Sequence, residues 1–151
     1  MIRHFLATLA YRFQKAVRDA PPEFGDFHAG HGVRTPAEIV RHMSHDLMYV
    51  LRYLIEMEVT SPQPLDWDGE ITRFHDLLGQ IDEYLAKHTQ PEGTTLEELL
   101  QGPLSDVMTH IGQIAMLRRM AGSPIRGESF RVADIAVGRV GPDQPDRVKA
   151  F

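Results

Sequence analysis

Thr35-Pro36-Ala37-Glu38-Ile39-Val40-Arg41-His42-Met43-Ser44-His45-Asp46 holds a helix start and a polar cluster in one run. Thr35 supplies a capping hydroxyl, Pro36 suits the first turn because it has no N–H to lose there, and Glu38 completes a capping box. Beyond the cap, Ile39, Met43, Val50, Leu54 and Met57 recur at helical spacing and make one apolar seam. Residues four apart on a helix stand one above the other. His42 and Asp46 therefore share a face. A helix with one apolar seam has to bury it against other helices.

The flanking sequence supplies three. A first helix is expected from about Ile2 to Asp19, with Ile2, Phe5, Leu6, Leu9, Phe13, Ala16 and Val17 on its inner face and Pro21-Pro22 ending it. A loop from Glu23 to Arg34 leads into the Thr35 cap. After Pro62 and Pro64, a third helix is expected over Trp67 to His88, with Ile71, Phe74, Leu78, Ile81 and Leu85 inward. Gln90-Pro91-Glu92-Gly93 reads as a turn, and Thr95-Leu96-Glu97-Glu98 is a second capping box on a short helical piece. Gly102-Pro103 interrupts that piece and starts a fourth long helix, which Gly122-Ser123-Pro124 stops. Only Phe130 to Val140 offers any competing strand pattern. The expected fold is all-α: a four-helix, up-and-down-type bundle over residues 1–122, with an extended tail over 123–151 packing on the bundle or on a partner chain.

Composition narrows the function classes. The chain has 151 residues, 42% of them hydrophobic, which is enough for one domain with a core. A net charge of −5 argues against a general nucleic-acid surface. The absence of cysteine excludes disulfides, a Cys nucleophile and thiolate metal ligands. It also fits the cytoplasm, the expected location, as does the lack of a signal-peptide pattern after Met1. No apolar run is long enough to span a membrane. Neither a phosphate-binding glycine loop nor a Gly-x-Ser-x-Gly elbow is present.

The fourth helix repeats the polar theme in Asp106-Val107-Met108-Thr109-His110-Ile111-Gly112-Gln113. Asp106 and His110 are four apart and aim an oxygen and an imidazole the same way. In an up-and-down bundle the second and fourth helices run parallel from the same end. His42 follows Pro36 by six residues, and Asp106 and His110 follow Pro103 by three and seven. At about 1.5 Å per residue all three reach similar depth. Facing helices that bring such side chains together can build a metal site.

These residues resemble a known family. His42 followed by an apolar residue, with His110-x-Gly112-Gln113 on the fourth helix and Leu117-Arg118-Arg119-Met120-Ala121-Gly122 beyond it, is similar to the DinB/YfiT-like metalloenzymes. The resemblance covers Met1 to Gly122. It implies a four-helix bundle in a mirror variant of the up-and-down topology. It also implies a divalent metal held by one His on helix two and a His-x-x-x-His pair on helix four. Some members are S-transferases or isomerases that use bacillithiol, mycothiol or glutathione. The departure is Asp106, which stands where the family has the first His of the pair.

The expected ligand set is therefore His42, Asp106 and His110. Asp46 is a further ligand or a carboxylate orienting an imidazole, and Gln113 is a second supporting side chain. Zn, Ni, Mn and Fe all accept such donors. Asp106 has a competing role at the helix N-terminus, where a carboxylate favours the dipole. His45 is a neighbouring alternative to His42. His28 and His31 lie in the Glu23–Arg34 loop, while His4, His75 and His88 read as ordinary helix residues. Tyr49, Tyr53 and the methionines read as packing. The expected activity is metal-dependent thiol S-transfer or hydrolysis on a small molecule, with the loop Glu23–Arg34 as rim and Gln90–Gly102 beside it. The alternative is a non-catalytic bundle whose polar cluster is structural or vestigial. The expected partners are a small-molecule substrate, a low-molecular-weight thiol and, as an open alternative to a monomer, a second copy of the chain.

Overall fold

The four amphipathic segments fold as helices in a computed structural model that describes residues 1–88, 91 and 93–151. They are α1 (Ile2–Val17), α2 (Pro36–Ile55), α3 (Trp67–Lys87) and α5 (Ser105–Met120), with the short α4 (Leu96–Leu99) before the last. Both capping boxes form. The Thr35 hydroxyl accepts from the Glu38 N–H while Glu38 accepts from the Thr35 N–H, and Thr95 and Glu98 repeat the exchange. Asp66 caps α3 by accepting from the Gly69 N–H at 2.8 Å. Gly102-Pro103 interrupts the helical path between α4 and α5 as expected: within the turn Leu100–Leu104, Gly102 leaves helical geometry at φ −96° and ψ −109°, and the chain kinks there before α5 begins. The turn expected over Gln90–Gly93 falls partly outside the described residues, at Gln90 and Glu92.

The expected seams form the core. Leu6, Leu9, Phe13, Ile39, Met43, Val50, Phe74, Leu78, Ile81, Val107, Ile111 and Ile114 are all buried. Phe13 and Phe74 meet within it with ring centroids 4.1 Å apart and planes tilted by 48°. Several residues read as packing face water instead: Tyr49, Tyr53, Met116 and Met120. Among the described residues there is no strand, only an isolated bridge between Glu128 and Ala150. Among the described residues, no helix is long and apolar enough to cross a membrane.

The four-helix bundle stands, but its helix directions differ from simple alternation. Arg3, in the first turn of α1, pairs with Asp82 near the end of α3 at 2.9 Å, so α1 and α3 are antiparallel. Arg118, near the end of α5, donates to the Ala16, Arg18 and Asp19 carbonyls, so α1 and α5 finish together. Arg41 faces Glu70 at 3.9 Å, near the starts of α2 and α3. At the far end, Tyr53 and Glu56 share a cleft with Tyr84. Thus α2 and α3 are parallel, and α2 and α5 are antiparallel. Both α1 and α2 pack on α3 and α5, across the diagonal from one another.

Link length makes this possible. The 20-residue α2 is about 30 Å long. The eleven residues Glu56–Asp66 carry no helix. Extended at roughly 3.3 Å each, they reach about 36 Å, enough to return along the bundle and start α3 beside the start of α2. We call the end where α1 and α5 finish and α2 and α3 begin the proximal end.

The tail 123–151 packs on the bundle. Buried Glu128 pairs with Lys15, the Arg12 guanidinium lies 4.0 Å from the Phe130 ring centroid, and the Val140 carbonyl meets His75 at 2.8 Å. His75 is therefore no ordinary helix residue: it is buried, with its other ring nitrogen 3.1 Å from the Gln14 side-chain oxygen. Its location lowers its pKa below 6.5, chiefly through burial.

Candidate metal centre

Helices α2 and α5 pack side by side, and their polar positions meet. The His42 and His110 rings stand edge to face with centroids 4.9 Å apart. Asp46, one turn along α2 from His42, brings its Oδ2 to 3.9 Å from His42 Nε2. One donor atom from each of His42, Asp46 and His110 lies within 4.8 Å of the others. Metal–nitrogen and metal–oxygen bonds of about 2.0–2.2 Å put tetrahedral ligand atoms roughly 3.3 Å apart.

This set contains Asp46 in place of Asp106. Asp106 is exposed in the first turn of α5 and lies outside the group. The reason is geometric. With the helices antiparallel, a step of four forward from His42 and a step of four back from His110 both lead toward the distal end. Asp46 and Asp106 thus compete for the same side of the histidine pair. Asp46 projects into the helix interface with its side chain 15% exposed. Asp106 sits where the helix begins and faces water.

Gln113 takes its expected supporting place. Its Oε1 accepts from His110 Nδ1–H at 3.0 Å, which leaves His110 Nε2 as the free lone pair. His45 turns aside and packs its ring on Tyr49 with centroids 5.0 Å apart. Burial lowers the His42 pKa below 6.5; Asp46 opposes that shift, while Arg34, His110 and His45 add to it. Burial raises the Asp46 pKa above 3.8, opposed by His42 and His110. Asp46 Oδ2 is buried with no hydrogen-bond partner among the described residues. A buried acceptor left unpaired costs about 1–3 kcal/mol.

The centre is reachable from solvent, since the His42 side chain is 35% exposed. Beside it opens a cleft of about 240 Å³ lined by Arg34, Glu38, Arg41, His42, His45, Ser61 and Pro62. Only the Arg34 edge of the expected rim borders it. Of the Gln90–Gly102 side of that rim, the described stretch 93–102 lies in the α3–α5 connection, where Gly93 borders the distal cleft with Tyr53 and Tyr84. Ser61 and Pro62 take its place because the α2–α3 link runs back to the proximal end. Sequence reading missed Arg41 and Ser61: nothing local marks Arg41 on α2 as bordering a cleft, and no periodicity marks Ser61, which the returning link brings in.

Compared with protein-family models, with curated proteins and with solved structures, the chain matches none.

Proposed function

We propose that the chain is a DinB/YfiT-like, metal-dependent transferase or hydrolase acting on a small molecule, with one divalent ion held by His42, Asp46 and His110. The observation that carries this reading is the Asp46 carboxylate, a buried oxygen without a partner, set against two imidazoles from two helices. A cation there converts an unfavourable burial into attraction. Two nitrogens and one carboxylate oxygen suit Zn, Ni, Mn or Fe.

The chain's own residues prepare the site. Gln113 fixes the His110 tautomer and presents Nε2. The lowered pKa of His42 leaves its imidazole neutral, and so a competent ligand, at neutral pH. Three protein ligands leave a coordination position open on the exposed side. A bound ion supplies Lewis-acid polarisation and favours the deprotonated form of a water or thiol. The chain has no cysteine, so a reacting thiol is a diffusible one. S-transfer is the form the family resemblance suggests.

The test is metal analysis of protein purified without a His tag, followed by assays of small electrophiles with glutathione, bacillithiol and mycothiol. Turnover that needs both metal and His110 supports the enzyme. Failure of metal-free protein to take up stoichiometric Zn, Ni, Mn or Fe overturns the centre. Equal turnover in His110→Ala assigns the activity elsewhere.

A further inference from the structure

We infer that the cleft beside His42 is an anion subsite, in which Arg34 and Arg41 hold the carboxylate or phosphate of a small substrate whose reacting end reaches the candidate centre. The catalytic half of this inference rests on the metal-centre reading; the anion-binding half does not.

The cleft shares His42 with the centre and measures about 240 Å³. That is below the roughly 300–1,000 Å³ of sites for drug-sized ligands, so it suits a small metabolite. Glu38, its one acidic side chain, turns Oε2 to the Thr35 N–H at 2.8 Å and sets one negative charge against the two arginines. Among the described residues, Arg41 has only a long contact of 3.9 Å to Glu70. Glu70 is buried and already accepts from the Leu65 N–H at 3.0 Å and from Arg73. Its charge is met without Arg41. The Arg34 guanidinium has no hydrogen bond or ion pair among the described residues, and Arg34 is exposed.

Helix stability does not explain Arg34. Arg34 directly precedes the Thr35 N-cap of α2. A positive charge there opposes the helix dipole, while an anion is favoured. Two arginines with spare donors and a nearby serine hydroxyl are groups that recognise carboxylate or phosphate oxygens. The chain is acidic overall, at −5, so the local excess of positive charge is not a property of its whole surface.

The experiment is a nuclear magnetic resonance titration of metal-free protein with acetate and, separately, with inorganic phosphate, at constant ionic strength balanced by chloride. Metal-free protein removes direct anion–metal binding. Saturable amide shifts at residues 34–45 and Ser61 are expected with at least one probe. Phosphate alone points to a phosphorylated substrate, and acetate alone to a carboxylate. The double variant Arg34→Gln/Arg41→Gln should weaken the response roughly tenfold or more, the effect of losing charge-assisted bonds. Arg34→Gln alone, at an exposed position, gives a second reading if the double variant loses structure. No saturation by either anion, or equal saturation in the variants, overturns the subsite. Metal uptake scores the centre independently. Anion saturation without metal uptake keeps the anion site and overturns its link to catalysis; metal uptake without anion saturation keeps the metal centre and overturns the subsite.

Discussion

Asp46→Asn should stabilise the metal-free protein and abolish its response to metal. The Asp46 Oδ2 is buried and unpaired, and burial already pushes its pKa up. Burial there disfavours the charged form of the carboxylate. Asparagine keeps the shape and removes the charge but leaves a polar atom to satisfy. The gain should therefore lie at the low end of the unpaired-group cost, about 1 kcal/mol. For a chain of 151 residues that raises the thermal midpoint by roughly 2–4 °C. Metal at 100 times its dissociation constant should stabilise the parent by about 2.7 kcal/mol, or roughly 5–11 °C. The variant should lose that rise. Differential scanning calorimetry of both proteins, chelated and reloaded, measures all four midpoints. A metal-free variant less stable than its parent would show that the carboxylate has a favourable partner. A full metal response in the variant would remove Asp46 from the ligand set.

Three further outcomes follow from the same geometry. Asp106→Ala should leave metal affinity nearly unchanged in isothermal titration, while His110→Ala should abolish it; the opposite pattern restores Asp106 as a ligand. Metal-free protein should lose stability as pH falls below 6.5, because burial lowers His42 and His75. The unfolded chain then binds more protons than the folded one between their native pKa values and 6.5, so stability rises with pH across that window. Urea midpoints measured across it should flatten in His75→Gln, and an unchanged slope would remove His75 as a source. Arg118→Met should cost about 3 kcal/mol in urea unfolding, because the buried guanidinium is hydrogen-bonded to carbonyls of Ala16, Arg18, Asp19 and Ser123. A loss below about 1 kcal/mol would show that water serves those carbonyls equally well.

The helices were legible in the chain because their signals are local. Thr35 with Glu38, and Thr95 with Glu98, announce helix starts through contacts three residues apart, and both form. The seams of α1, α2 and α3 follow from helical period, and their central residues are buried. Periodicity also put His42 and Asp46 on one face and aimed His110 at a common core. It said less about the outward edge of each seam, where Tyr49 and Met116 are exposed, because period alone does not give the width of a buried stripe.

What the sequence by itself determined is the set of helices, their inner faces and the pair of histidines that meet. Only the tertiary structure decided which carboxylate joins them. Asp46 and Asp106 are equivalent by spacing, each four residues from a histidine, and each step leads toward the same end once α2 and α5 are antiparallel. Burial separates them, and burial belongs to the packed pair of helices rather than to either one. Helix direction was likewise outside local reach. It depends on the Glu56–Asp66 link running the length of the bundle instead of turning back, a choice enforced by contacts between residues far apart in the chain, such as Arg3 with Asp82 and Arg118 with Ala16. The same long return brings Ser61 beside Arg34 and Arg41, and so creates a cleft that no stretch of sequence contains.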